Sequence, residues 1–82
     1  MTLEKRIAET LLMIAQSRPG GSFCPSEAAR RICSAQWRPL LPQVRRVAGK
    51  LQREGLLHAT QKGVAVDAIR ATGPIRLSKP LH

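Results

Sequence analysis

Apolar residues near the start of the chain recur at the three- and four-residue spacing of an amphipathic helix. Thr2 precedes this pattern as the expected N-cap, and the pattern ends at Pro19 and the two glycines after it, because these residues do not continue a helix. Polar side chains fall mostly on the opposite side. The apolar stripe consists of Leu3, Ile7, Leu11, Ile14 and Ala15. We expect this first helix to serve as scaffold.

Two further helices are predicted in the middle of the chain. The second begins near Cys24-Pro25, because proline suits the first helical position, and Glu27 is placed to complete a capping box. A turn follows around Trp37, which we expect to fill the space between the second and third helices. The third helix is predicted to begin at residue 39 or 40 and to end at residue 54, with Gly55 as its stop.

The pattern changes to short strands after the third helix. Residues 56–60 and 64–66 are predicted as two strands joined by the turn Gln61-Lys62-Gly63. The chain beyond them either adds a final short strand or folds back over the core. We expect one domain over residues 1–77 and a flexible tail over residues 78–82. This order predicts an α+β, mainly α fold, a winged helix-turn-helix with three helices and a β-hairpin wing.

Charge is the strongest bias in the composition. The 82 residues include 14 Lys and Arg against 5 Asp and Glu, which gives a net charge of +9. A domain this small with this charge attracts polyanions, whether nucleic acid, anionic membrane or acidic protein. The longest apolar run is far shorter than the ~20 residues that span a bilayer, and the N-terminus lacks the pattern of a signal peptide. We therefore expect a cytoplasmic protein that does not bind membranes.

Motifs for catalysis or for metal binding are not found in the sequence. Cys24 and Cys33 lack the spacing of a metal site, so we expect free thiols in a reducing compartment. The carboxylates are scattered and none is paired by spacing with His58, and the phosphate-loop, dinucleotide and zinc-protease motifs are missing. The sequence therefore predicts that the protein is not an enzyme and needs no metal or cofactor.

Basic residues concentrate in the predicted helix-turn-helix segment. Between residues 30 and 53 the chain carries 7 basic residues and no carboxylate. The predicted third helix is apolar on one side and basic on the other, which is typical of a helix that meets a phosphate backbone. The expected nucleic-acid contacts are Arg45, Arg46, Lys50 and Arg53 on the third helix, Arg30 and Arg31 on the second, and Lys62 at the hairpin tip.

Gly49 interrupts the basic side of the third helix. Glycine inside a helix costs about 1 kcal/mol relative to alanine, so its presence asks for a physical reason. One reason is a close approach of the helix backbone to a nucleic-acid groove, which we assign to Gly49 as part of the interface. The alternative reason is a close contact with another element of the same chain.

Several groups of residues together carry a family resemblance. They are Cys24 to Arg30, Trp37-Arg38, the run from Val44 to Gly55, Lys62-Gly63 and Gly73-Pro74-Ile75-Arg76. From about residue 3 to residue 77 the chain resembles a family of small bacterial domains of unknown function with a predicted winged-helix fold. The resemblance implies that fold and a bacterial cytoplasmic setting, and it implies no activity or site residues.

The function predicted from these features is duplex DNA binding, in the manner of a transcriptional regulator. The third helix is expected in the major groove, with the hairpin wing beside it. Single-strand binders stack several aromatic side chains on bases, and this chain has only Phe23 and Trp37. The alternative is a protein-interaction adaptor that docks an acidic partner through the same basic face. The sequence leaves open the DNA sequence, the oligomeric state and any effector ligand.

Overall fold

The structure, a computed structural model, describes residues 2–80; Met1, Leu81 and His82 lie outside the described residues. Within this range the chain forms three α-helices, a short 3-10 turn and four antiparallel strands, which confirms the α+β, mainly α winged helix-turn-helix arrangement. The helices are α1 (Leu3–Ser17), α2 (Pro25–Ile32) and α3 (Leu41–Arg53), with the 3-10 turn at Arg38–Leu40. The strands are β1 (Ser22–Phe23), β2 (His58–Gln61), β3 (Val64–Ala65) and β4 (Arg76–Ser78).

The first helix packs its predicted stripe into the core. The Thr2 hydroxyl accepts a hydrogen bond from the backbone N–H of Lys5 at 3.1 Å, as expected of an N-cap. Ile7, Leu11 and Ile14 are fully buried against the other helices and the sheet. Leu3 was expected on the same stripe but is 41% exposed, because it lies in the first turn beyond that packing. None of the helices between residues 2 and 80 has the length and apolar character needed to cross a membrane.

The last strand lies in the middle of the sheet. The strand order is β1-β4-β2-β3, so β4 pairs with both β1 and β2, and Leu77 lies opposite Phe23 on one side and Ala59 on the other. The predicted hairpin is confirmed, since β2 and β3 pair across the Lys62-Gly63 turn. The strand β1 was not predicted because it has only two residues. Pairing extends through Ser78, one residue into the segment predicted as a tail.

The chain between β3 and β4 crosses from the outer edge of the sheet to its centre. We call residues 66–75 the return loop. It packs on α3, where Ala68 is fully buried, and it delivers the buried Ile75 to the start of β4. The wing of this protein is therefore longer than the predicted hairpin, and one part of it folds over the third helix.

Glu27 ties the start of α2 to the end of α1. Its side chain does not cap the helix as predicted. Instead, Arg18 Nη1 donates a 2.8 Å hydrogen bond to Glu27 Oε1, and Arg18 Nη2 pairs with Glu27 Oε2. This bidentate hydrogen bonding holds the pKa of the Glu27 carboxyl below its usual value, because it favours the charged form.

We expect Glu27→Gln to lower the free energy of unfolding by about 1 kcal/mol at neutral pH. A carboxyl whose pKa is depressed in the folded state stabilises the protein above its unfolded pKa, and this contribution is lost as pH falls through the folded pKa. The stability of the wild type should therefore approach that of the variant as pH drops below the usual Glu27 pKa of 4.5. Urea unfolding at a series of pH values measures this. Glu9→Gln, on an exposed part of α1, is the control, and a pH-independent difference for Glu27→Gln contradicts the account.

Candidate nucleic-acid interface

The solvent-facing side of α3 carries a row of cations. Arg46, Lys50 and Arg53 are exposed and recur at i, i+4 and i+7, so they lie along one face of the helix. The opposite face is buried through Val44, Val47, Ala48 and Leu51. No carboxylate occurs in α3, and Glu54 follows at its end. We call Arg46, Lys50 and Arg53 the α3 row.

Each member of the α3 row has a different electrostatic setting. Lys50 Nζ lies 3.2 Å from Glu4 Oε1, but both side chains are more than half exposed, at 55% and 54%, so the pair is weak and exchangeable. Asp67 lies near Arg53. The pKa of the Asp67 carboxyl is held below its usual value chiefly by the hydrogen bond from the backbone N–H of Ile69, and to a smaller extent by the positive charge of Arg53. Arg46 makes no ion pair among the described residues.

Arg45, which the sequence predicts as a nucleic-acid contact, is held by the return loop, and we therefore leave it out of the candidate interface. Its guanidinium donates to the backbone carbonyls of Ala68, Ala71 and Gly73 at 3.4, 2.6 and 3.1 Å. The side chain points into the return loop because residue 45 lies one helical step, 100°, away from Arg46. Arg45 is therefore an anchor for the return loop, and its donors are occupied by the protein itself.

Two glutamine side chains complete the attachment of the return loop. Gln52 on α3 donates to the carbonyl of Val66 at 2.6 Å and accepts from the N–H of Ala68 at 3.0 Å. Gln61 at the end of β2 donates to the carbonyls of Thr72 and Pro74 at 2.5 and 3.2 Å. Backbone groups of an irregular loop need such partners when they leave solvent. The return loop is thus held by α3 and β2 together.

Gly49 is buried, and the close contact it makes is within the protein. The assignment of Gly49 to a nucleic-acid groove is therefore wrong, and the alternative of an intramolecular contact is correct. A Cβ at residue 49 would lie 2.6 Å from Ile69 Cδ1 and closer still to Ile69 Cγ1. Glycine is present here because the side chain of Ile69, in the return loop, packs directly on the helix backbone.

We expect the effect of Gly49→Ala to change sign when Ile69 is shortened. In the wild-type background the new methyl group overlaps Cγ1 and Cδ1 of Ile69, so this side chain must leave its packed position on α3. The packing lost in this way should outweigh the gain of about 1 kcal/mol in helix propensity. In an Ile69→Ala background the overlapping atoms are gone, so Gly49→Ala should stabilise the fold by about 1 kcal/mol. A double-mutant cycle followed by urea unfolding measures both effects. Equal effects in the two backgrounds contradict the contact.

Lys62 occupies a strained position at the tip of the β2–β3 hairpin. Its φ angle is 52° and that of Gly63 is 81°, so both central residues of the turn have positive φ, as a type I′ turn requires. Asparagine or glycine is favoured at the first of these positions, and a lysine there costs roughly 1 kcal/mol. The geometry of the turn favours asparagine or glycine at residue 62, but the protein has an exposed lysine there.

The two predicted arginines of α2 have separate surroundings. Arg31 Nη2 lies 3.8 Å from Glu27 Oε2 and so joins the pair that Arg18 and Glu27 form. Arg30 instead stacks on Trp37, with its guanidinium carbon 4.4 Å from a ring centroid. Arg38, which sequence reasoning missed, lies 4.7 Å from a centroid of the same side chain. The available signal for Arg38 was its position directly beside the single tryptophan.

A groove runs along the N-terminal half of α3. It has a volume of about 690 Å³ and separates the helix from the return loop, with Arg46, Pro42 and Thr72 among its lining residues. The site thus combines an exposed cationic helix face with an adjoining concave surface. Within residues 2–80 no cluster of His, Cys, Asp and Glu side chains is arranged to hold a metal ion.

A comparison of the sequence with models of protein families identifies one family. The model described as "Protein of unknown function (DUF3253)" matches residues 3–80. The chain therefore belongs to this family, which confirms the resemblance to a family of domains of unknown function. No curated protein matches the chain.

Proposed function

We propose that this member of the DUF3253 family is a duplex-DNA-binding module that uses α3 as its recognition helix. The observation that carries the proposal is the α3 row, three exposed cations on one face of a helix that contains no carboxylate. Exposed helices that serve only solubility usually mix the two signs of charge. A one-signed cationic face suits a phosphate backbone.

The exposed geometry of α3 supports entry into the major groove. That groove is about 12 Å wide and admits an α-helix. Because Ile69 covers the flank of α3 at Gly49, the part of the helix that meets DNA is the edge bearing Arg46 and Lys50. Lys62, exposed at the hairpin tip, supplies a further cation for the phosphate backbone. A phosphate can replace the exposed Glu4 carboxylate as the partner of Lys50.

The proposed setting is the bacterial cytoplasm, and the proposed role is transcriptional regulation. The thiols of Cys24 and Cys33 are free, which is in keeping with a reducing compartment. A single module of this size buries only ~600–1,000 Å² against DNA. A second copy or a partner protein would therefore be needed for strong sequence specificity.

A salt-dependent titration tests the proposal. A fluorescently labelled random-sequence duplex is titrated with the protein at several salt concentrations, and its anisotropy is followed. We expect saturable binding that weakens with salt by a slope of about −0.9 per phosphate contact, hence about −3 to −5 for the α3 row, Lys62 and neighbouring arginines. RNA of matched sequence is expected to bind more weakly. Flat titrations at low salt would refute DNA binding and favour an acidic protein partner for the same face.

Lys62→Asn is expected to move stability and affinity in opposite directions. Asparagine relieves the positive-φ strain at the turn and should raise the free energy of unfolding by up to about 1 kcal/mol. Loss of the cation should weaken duplex binding and reduce the salt slope by about 0.9. Urea unfolding and the anisotropy titration measure the two effects. Lys79→Asn, an exposed lysine after β4, is the matched control, and unchanged affinity for Lys62→Asn removes Lys62 from the interface.

A further inference from the structure

The α2–α3 corner holds two arginines against a single tryptophan. The guanidinium carbons of Arg30 and Arg38 lie 4.4 and 4.7 Å from ring centroids of Trp37, and both arginines are exposed while Trp37 is half-buried. We propose that Trp37 is a positioning residue that presents Arg30 and Arg38 as a second phosphate-binding pair, in addition to the α3 row. This inference rests on the proposed function, since it names further contacts to the same duplex.

Trp37 is a fixed support for the two side chains. It is half-buried and packs against the hydrophobic core, which restricts the motion of the indole. A guanidinium stacked over an aromatic face keeps its N–H edge free to donate, because stacking uses the plane and hydrogen bonding uses the rim. An arginine that is ordered before binding loses less conformational freedom when it meets a phosphate.

The donors of Arg30 and Arg38 have no competing partner in the described part of the chain. Neither side chain forms an ion pair or a hydrogen bond there, whereas Arg18 is bound to Glu27 and Arg45 to backbone carbonyls. Residues 28–53 contain no carboxylate. The two guanidiniums are thus ordered, exposed and unneutralised, which is the combination that a phosphate ligand needs.

The position of the pair in the fold extends the proposed interface. Arg30 lies in the last turn of α2, and Arg38 begins the 3-10 turn that leads into α3. The pair therefore lies at the N-terminal end of α3, while the α3 row extends towards its C-terminal end. Cations at both ends of a recognition helix allow contacts to backbone phosphates outside the groove that the helix occupies.

The test uses the intrinsic fluorescence of Trp37, which is the only tryptophan of the chain. Unlabelled random-sequence duplex is added to the wild-type protein while Trp37 emission is recorded, and anisotropy of labelled duplex is measured in parallel. We expect the emission to change along the same binding curve as the anisotropy. Arg30→Gln/Arg38→Gln should weaken binding by about tenfold or more and lower the salt slope by about 1.8. The control Arg6→Gln/Lys79→Gln removes the same charge elsewhere and should leave the salt slope nearly unchanged.

Substitutions of Trp37 distinguish a role in positioning the two arginines from a role in stabilising the fold. Trp37→Phe keeps an aromatic face and should retain most of the affinity, whereas Trp37→Leu should lower it towards that of the double arginine variant, with thermal unfolding confirming that both are folded. If Arg30→Gln/Arg38→Gln binds duplex with wild-type affinity and salt slope, the inference is wrong and the proposed function stands. If the wild type does not bind duplex at low salt, both are wrong. The double arginine variant leaves the core intact, so the test holds even if the protein does not fold when Trp37 is substituted.

Discussion

Arg45→Met is expected to destabilise the protein by about 2–4 kcal/mol and to release the return loop. The guanidinium of Arg45 donates to three carbonyls between residues 68 and 73, at 2.6 to 3.4 Å, and methionine supplies similar length without any donor. A net hydrogen bond from a charged donor contributes about 1.5–3 kcal/mol, and the three share one side chain, so their contributions do not simply add. In a domain of this size the loss corresponds to a fall of about 10–20 °C in Tm.

The neighbouring residue supplies the matched control. Arg46→Met removes the same charge one position along the same helix, but its side chain is exposed and holds no part of the fold, so its effect should stay within about 0.5 kcal/mol. Arg45→Lys keeps the charge without the planar fork and should recover only part of the stability. Urea unfolding measures the free energies of unfolding, and the rate of limited proteolysis within residues 66–75 measures how far the return loop is released. Equal effects of Arg45→Met and Arg46→Met would contradict the anchoring role.

Arg46→Glu/Lys50→Glu is expected to weaken binding to a random-sequence duplex by about 100-fold or more at low salt. Each lost phosphate contact removes roughly three- to tenfold in affinity under such conditions, and the new carboxylates add a repulsion of the backbone. Neither residue belongs to the core, so the variant should fold normally. It replaces the exposed Lys50–Glu4 pair with two exposed carboxylates, whose repulsion is small in solvent. The measurement is the anisotropy titration, with circular dichroism as the check on folding.

The control for this variant reverses the same amount of charge elsewhere. Arg6 lies on the side of α1 turned away from Glu4, and Lys79 follows β4 at the end of the sheet opposite the Lys62-Gly63 turn. Arg6→Glu/Lys79→Glu should therefore lower affinity only through the weaker long-range field, by less than about tenfold. Equal losses for the two variants would show that binding follows net charge and not the α3 row.

Elements with strong local signals could be predicted from the sequence. The helix α1 has a clear apolar stripe and an N-cap at Thr2, and the hairpin has glycine at a turn between two apolar segments. The return loop has no periodicity, because its residues are held by side chains from α3 and β2 and not by a repeating pattern of their own. Such long-range attachments leave no local trace in the sequence.

The errors at Arg45 and Gly49 have the same origin. A helical wheel shows which residues point away from the core of the three helices, and it placed both on the outer side of α3. It does not show what else packs on that side. The return loop covers the flank that contains Arg45 and Gly49 and leaves Arg46, Lys50 and Arg53 exposed. The sequence therefore predicted correctly that the cations lie on one face of the helix. It also included two residues, Arg45 and Gly49, that the return loop covers.

Amide chemical-shift mapping by NMR locates a bound duplex on a protein of this size residue by residue, and it therefore shows whether α3 is the recognition helix. An isotope-labelled sample is titrated with a short random-sequence duplex at low salt. We predict that the largest shifts fall on α3 around Arg46 and Lys50 and on the hairpin tip at Lys62, with small shifts along α1 at Arg6. Shifts that cluster on α1 or on the sheet, with α3 unaffected, would contradict the assignment of α3 as the recognition helix.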